Sequence, residues 1–272
     1  MNLEKSIFKI VPYVPRQLIP IGIRILCWSV GLTDNKKIQK SPFSNLPPPA
    51  LRFHVHGSPF LDSFLSGGKH SIRDLEKSLV TINKDLNSFK NILDFGCGCG
   101  RSLIWLRDRN LQCKIYGTDI DEEAISWCKK NLDFVRFDVN KPLPPLEYPS
   151  NTFDLVYAGS VFTHLNEDYQ YRWLEELNRV TMPKGIVVIT IHGIHAYNIR
   201  RRQDVKKDVS KEGIVFEMSN TWEEIFPAWY QSTYHTKEYI YDNFSKYFDV
   251  LEYIPRGMGG IQDIIILQKR EN

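Results

Sequence analysis

Residues 94–100 read Asp-Phe-Gly-Cys-Gly-Cys-Gly, and a further acid, Asp119, stands nineteen positions beyond Gly100. Glycines at the end of a strand allow a tight turn and a close backbone approach to a ligand at the start of the next element. An acid at the tip of the following strand accepts hydrogen bonds from ribose hydroxyls. Together they describe a nucleotide-type site. The third glycine comes one residue earlier than in the dinucleotide pattern G-x-G-x-x-G, and Arg101 follows it. Asp94 lies two residues before Gly96 and would repel a diphosphate. A carboxylate there suits a ligand with a cationic end. Proton acceptors are also at hand: His164 lies just past one strand and His192 at the end of another, both expected on the rim where a second ligand would sit. Cys97 and Cys99 form a C-x-C pair, but a metal needs two further ligands at suitable spacing and the chain has no second cysteine pair, so no metal site is expected.

The elements that position these groups alternate. Asn91–Phe95 reads as a short buried strand, Arg101–Asn110 as a helix, Cys113–Thr118 as a strand, Asp121–Asn131 as a helix and Phe134–Phe137 as a third strand. Phe153–Tyr157 is a fourth strand. Asn166 caps a helix running to Val180, with Glu167 and Asp168 favouring its dipole. The sequence MPKG then turns into a β-branched fifth strand, Ile186–Ile191. Upstream, Ser71–Leu86 has helical spacing, with Ser71 as its cap. Such alternation predicts an α/β fold with a parallel, doubly wound, Rossmann-like sheet. Phe248–Ile254 and Asp263–Leu267 are joined by a loop too short for a crossover helix, so they form an antiparallel C-terminal hairpin and complete seven strands. The proline-rich stretch 42–49 separates a segment of residues 1–50 from a body of residues 51–272, within which 193–247 is expected to be a substrate-side insertion. Trp222, Trp229 and Tyr230 are its candidate wall residues, and Arg200–Arg202 with Lys206 and Lys207 form a basic run.

The successive strings ILDFGCGCGR, YGTDID, FVRFD, FDLVYAGSVFTHL and LNRVTMPKGIVVIT closely resemble the motifs of class I S-adenosylmethionine-dependent methyltransferases. The resemblance covers about residues 70–270. The flanks RFHVHGSPFLDSFLSGGK and PAWYQSTYHTKEYI are similar, more weakly, to a bacterial small-molecule group found with sugar and polysaccharide biosynthesis. The resemblance implies S-adenosyl-L-methionine as cofactor. Asp94, Gly96, Cys97, Gly98 and Gly100 would cradle its methionine part, Asp119 would hold the ribose and Ile120 would pack on adenine. Asp138 would meet the adenine amino group with Val139 beside it, and Gly159 and Ser160 would face cofactor and substrate. It also implies transfer of a methyl group to a small molecule, a hydroxyl of a sugar or glycan precursor, with His192 or His164 as base. Amino-directed nucleic-acid enzymes of this fold carry Asn/Asp-Pro-Pro-aromatic after the fourth strand. Here that place reads Ala158-Gly159-Ser160-Val161, which disfavours a nucleic-acid partner. A protein methyltransferase or a cofactor-binding module without catalysis are the other readings.

Composition agrees with a large globular domain: 272 residues, 42% hydrophobic and 25% charged, with a formal net charge of +3. That excess is too small for a general polyanion binder. It is also uneven. Residues 1–50 hold seven basic side chains and two acidic ones, a net of +5, so the rest sums to −2. Leu18–Leu32 is apolar but for Arg24 and Ser29, and too short to span a bilayer. It is expected to be a helix packed on the domain. The other reading lays it on a membrane surface and makes residues 1–40 the place of peripheral contact. Five cysteines, an odd number, point to a reducing compartment, the cytoplasm.

Overall fold

The computed structural model describes residues 18–39, 41–43, 45–200, 208–218 and 231–271. Trp222, Trp229, Tyr230 and the basic run from Arg201 onward lie outside them, as do the first seventeen residues.

Three helices precede the sheet: α1 (Ile19–Ile38), α2 (Pro49–His56) and α3 (Leu61–Val80). The strands and helices that follow are β1 (Asn91–Phe95), β2 (Lys114–Asp119), α4 (Glu122–Asn131), β3 (Val135–Val139), β4 (Phe153–Ala158), α5 (Glu167–Val180), β5 (Thr181–Ile191), α6 (Ile194–Arg200), α7 (Val209–Glu212), β6 (Ile214–Glu217), β7 (Ser232–His235), α8 (Lys237–Phe244), β8 (Asp249–Met258) and β9 (Gln262–Gln268). The large sheet has the order β3-β2-β1-β4-β5-β9-β8. Strands β1 to β5 are mutually parallel, and β9 runs antiparallel to both β5 and β8. The chain thus makes the expected seven-stranded sheet with one inverted strand.

Helices cover both faces, so the central strands are apolar on both. In β4, Leu155 and Tyr157 belong to one core and Val156 and Ala158 to the other; Ile186 and Val188 alternate with Val187 and Ile189 in the same way along β5. Asn166 Oδ1 accepts from Tyr169 N at 2.9 Å and starts α5 as expected. Asp121 Oδ1 does the same for α4 through Ala124 N at 3.0 Å, with Lys129 and Lys130 at the other end of that helix.

Two expectations about helices fail, and the fifth strand takes in the MPKG segment expected to be a turn. The segment after the glycine loop forms only a 3-10 turn over Leu103–Leu106, not a helix to Asn110. Leu103, Ile104 and Leu106 are all buried there, and residues three apart line up in a 3-10 turn but not in an α-helix. Helix α3 begins ten residues before Ser71, whose Oγ bonds Gly67 O at 3.0 Å inside the helix instead of capping it. Its apolar positions Leu61, Phe64, Ile72, Leu75 and Leu79 hold helical spacing across Gly67-Gly68. A Cβ at Gly68 would lie 2.0 Å from Arg101 O, so the glycine pair allows a close approach and is no break.

The proline-rich stretch leads directly into α2, with Pro48 at its N-cap and Pro49 in its first turn, where a missing N–H is harmless. Phe43 and Leu46 are part of the core. Arg52, on α2, is fully buried. It donates to Pro59 O and Pro47 O, each at 2.8 Å, and pairs with Asp34 of α1. In the 193–247 region, β6 and β7 form a two-stranded antiparallel sheet with its own small core of Ala196, Tyr197, Val209, Val215 and Tyr234. Thr233 N bonds Thr163 O at 2.8 Å, which seats this sheet beside the turn after β4.

Candidate active site

The carboxyl ends of β1, β2 and β4 open into a cavity of about 490 Å³, large enough for a cofactor and part of a substrate. In an open parallel sheet this is the crevice where ligands sit. Gly96 N and Cys97 N both bond Thr118 O, at 2.8 and 3.1 Å, so the glycine loop is stitched to β2. Gly96 and Gly98 have φ of +79° and +54°, and a Cβ would meet Val161 at 2.3 Å or Val55 at 2.4 Å. A side chain at either position would be strained and would clash.

Asp119 is held by two backbone N–H groups, one on each oxygen: Gly98 N to Oδ2 at 2.7 Å and Asp121 N to Oδ1 at 2.9 Å. Each carboxylate oxygen keeps acceptor capacity for a ligand hydroxyl. Burial raises its pKa, and those two N–H bonds oppose the rise. Asp94 is buried at the end of β1 and pushed up to about 7, first by burial and then by the charge of Asp119, against the pull of Arg101. A cationic ligand placed beside this acid would favour its ionised form. This is the charge a sulfonium-and-ammonium ligand brings.

Of the residues expected to bind cofactor, Asp94, Gly96, Cys97, Gly98, Asp119, Ile120, Gly159 and Ser160 line the cavity. Gly100 does not; its φ of +74° serves the turn. Asp138 and Val139 do not line it either. Asp138 is exposed and accepts from Tyr148 Oη at 2.9 Å, and the cavity edge beyond β3 is made by Asn140, Lys141 and Pro142. Asn140 is fixed there by Thr118 Oγ1 at 3.0 Å and by its own N–H to Asp119 O at 3.0 Å.

The two candidate bases part company. His164 lines the cavity, and its Nδ1 lies 2.7 Å from Gln231 O. A carbonyl only accepts, so Nδ1 carries the proton and Nε2 is the basic nitrogen. His192 is buried outside the lining, its ring stacked on Tyr234 at 5.3 Å and 6.4 Å from the ring of His164. The expectation that it faces the rim is corrected: the bridge between His192 and Tyr234 draws it under the small sheet.

Several lining residues escaped the sequence reading. Arg101 donates from Nη1 to His56 Nδ1 at 2.6 Å, and His56 Nε2 bonds Ser63 Oγ at 2.9 Å. Burial and the neighbouring guanidinium hold His56 down at about 4, so it stays neutral. Tyr157 on β4, Ser71 on α3 and Val55 on α2 complete a wall supplied by elements far apart in the chain. No local pattern marks them; only Arg101, directly after the loop, carried a signal. The thiols of Cys97 and Cys99 are buried and pushed up, the latter to about 12, which makes them inert packing groups. Among the described residues no His, Cys, Asp and Glu group could hold a metal.

A mostly parallel sheet with one inverted strand, and a glycine loop whose N–H is tied to an acid on the next strand, define the class I methyltransferase architecture. Residues 93–189 match the family described as Methyltransferase domain. The fold is similar to a protein of Pyrococcus horikoshii OT3, with TM-score 0.55, 20% identity, and coverage of 74% of this chain and 91% of that one. It is also similar to an S-adenosylmethionine dependent methyltransferase from Mesorhizobium loti, with TM-score 0.54, 13% identity, and coverage of 71% and 96%. Among curated relatives, phosphoethanolamine N-methyltransferase 3 of Arabidopsis thaliana is 22% identical over 219 residues, which are 71% of this chain and 43% of the relative. The phosphoethanolamine N-methyltransferase of Plasmodium falciparum is 24% identical over 134 residues, 48% of each chain. The chain spans about half the length of these two relatives. The family match is confined to residues 93–189, and the likeness to the solved structures is one of fold.

Proposed function

We propose that the whole chain is an S-adenosylmethionine-dependent methyltransferase acting on a hydroxyl of a small molecule, a sugar or glycan precursor. The observation that carries the cofactor half is the carboxylate of Asp119, fixed from the glycine loop and from Asp121 within the cavity. The residues fit the cofactor: Asp94 answers its cationic end, Asp119 its ribose, and Asn140 offers a fixed amide near the base. S-adenosylmethionine supplies a methyl group already activated on a sulfonium sulfur.

The chain's own work is to bind, orient and deprotonate. Ser160 N donates to Thr190 Oγ1 at 2.7 Å, and Ser160 Oγ and Gln262 are joined at 3.0–3.1 Å. Ser160 has φ +62°, a strained conformation which these bonds hold at the cavity wall. His164 Nε2 would take the proton that the acceptor hydroxyl loses, while Gln231 O holds the ring. Tyr169 and Trp173 supply apolar cover that excludes water. The proposed setting is the cytoplasm, a reading supported by five free thiols.

A second reading is an amine acceptor on a phosphorylated amino alcohol. The two phosphoethanolamine methyltransferase relatives favour it, and Lys141 on the cavity edge offers a phosphate partner. A screen with methyl-labelled cofactor against sugars, nucleotide sugars and phosphoethanolamine separates the two. Label on a sugar hydroxyl supports the first reading; label only on phosphoethanolamine replaces it with the second. With the true hydroxyl acceptor, His164→Gln should lower kcat by about 100-fold and leave cofactor affinity unchanged. Full kcat in that variant would remove His164 from proton transfer.

A further inference from the structure

Helix α1 is apolar on two opposite faces. Ile19, Cys27 and Val30 are buried and, with the buried pair of Asp34 and Arg52, fasten the helix to the body. On the other side Leu18, Ile21, Ile25, Trp28 and Leu32 follow one another at spacings of three and four residues. All five are exposed, between 51% and 67%. They make a continuous apolar stripe about four turns long. Isolated exposed apolar side chains need no explanation, but a stripe in helical register does.

We propose that this stripe lies in the surface of an anionic lipid bilayer, parallel to its plane. Charge selects the occupant. Residues 1–50 carry seven basic side chains (Lys5, Lys9, Arg16, Arg24, Lys36, Lys37, Lys40). Their two acids are Glu4 and Asp34, and Asp34 is buried against Arg52. An anionic surface attracts such a segment, whereas a second copy of the chain would bring the same positive segment against it. Trp28 sits in the middle of the stripe, and its ring and N–H suit the boundary between acyl chains and headgroups. Among the described residues no helix is long and apolar enough to cross a membrane, which leaves contact along the surface as the mode for α1. The fastening to α2 has a consequence. Val55 on α2 lines the cofactor cavity, so a membrane that takes α1 holds one wall of that cavity at the interface.

The test is sedimentation of the full chain with vesicles of phosphatidylcholine alone or mixed with phosphatidylglycerol, at low and high salt. The double variant Ile25→Ser/Trp28→Ser is compared, and both proteins are checked for cofactor affinity and melting temperature. Both side chains are exposed, so the fold should be unaffected. The wild type should bind anionic vesicles at low salt, lose that binding at high salt and bind neutral vesicles poorly. The double variant should bind the anionic vesicles at least about tenfold more weakly, with cofactor affinity retained. Equal vesicle binding by the two proteins, or none by the wild type, overturns the proposal. So would analytical ultracentrifugation showing a wild-type dimer that the double variant abolishes, because the stripe would then be a self-interface. Vesicle binding that appears only after removal of residues 1–17 would show that the chain's own leader covers the stripe.

Discussion

Asp94 is the residue whose environment is most telling, because its carboxyl is held near 7 on the wall of the cavity. Its pKa is raised above the value of 3.8 that an unstrained aspartate shows, by burial and by Asp119, with Arg101 opposing. The folded state therefore holds a proton that the unfolded state has lost across that window. Stability without ligand should fall as pH rises from about 4 to about 7 and level off above it. Cofactor binding should run the other way. A cationic ligand favours the ionised carboxylate, so affinity should rise with pH up to about 7, by at most about tenfold per unit, and flatten beyond. Calorimetric titrations across that range check the slope, and Asp94→Asn should abolish it; a slope that survives would assign the proton to another group. Asp94, Gly96, Gly98 and Asp119 were legible in the sequence because the chemistry that joins them is packed into twenty-six consecutive residues. Ser71, Tyr157 and Val55 were not, because what brings them to the cavity is packing between elements remote in the chain.

Elements announced themselves where capping and periodicity agreed. Helix α5 carries Asn166 at its cap, acids in its first turn and Trp173, Leu174 and Leu177 on its buried face, and every one of these signals is in the sequence. Asn166→Ala should cost about 1 kcal/mol and lower the melting temperature by a few degrees. A larger and different loss is expected at the junction of α1 and α2. Asp34→Ala would leave Arg52, fully buried, with two carbonyl partners and no counter-charge, at a cost of about 3–5 kcal/mol. Thermal melts of the two variants should separate clearly, and equal small shifts would mean that Arg52 finds water when its partner is gone. The elements that were misread share one cause. The helix expected to start at Ser71 begins at Leu61 and runs through Gly67-Gly68, where Arg101 O packs close, and the segment after the glycine loop has helical composition but a tertiary surround that buries three of its four central side chains. Propensity gave way to packing in both.

For the whole molecule, the strand order and the inverted β9 follow from rules that the sequence already satisfies. Crossover connections join the parallel strands, and a loop too short to cross back sets the hairpin. The two-stranded sheet β6–β7 was not foreseen, because its four-residue strands lie in an aromatic-rich stretch whose polar alternation is weak. The charge split between residues 1–50 and the rest now has a physical setting: a basic helix bolted to the cavity wall and apolar on its outer side. In the proposed function the cavity takes S-adenosylmethionine with its ribose on Asp119. The decisive measurement is isothermal titration of the full chain with S-adenosylmethionine, beside the Asp119→Ala variant. The wild type should bind at a single site, and the variant should bind at least about tenfold more weakly while melting as a folded protein, since hydrogen bonds to a charged acceptor are worth about 1.5–3 kcal/mol. No heat with the wild type, or the same affinity in a folded variant, would mean that the cavity does not hold the cofactor through Asp119.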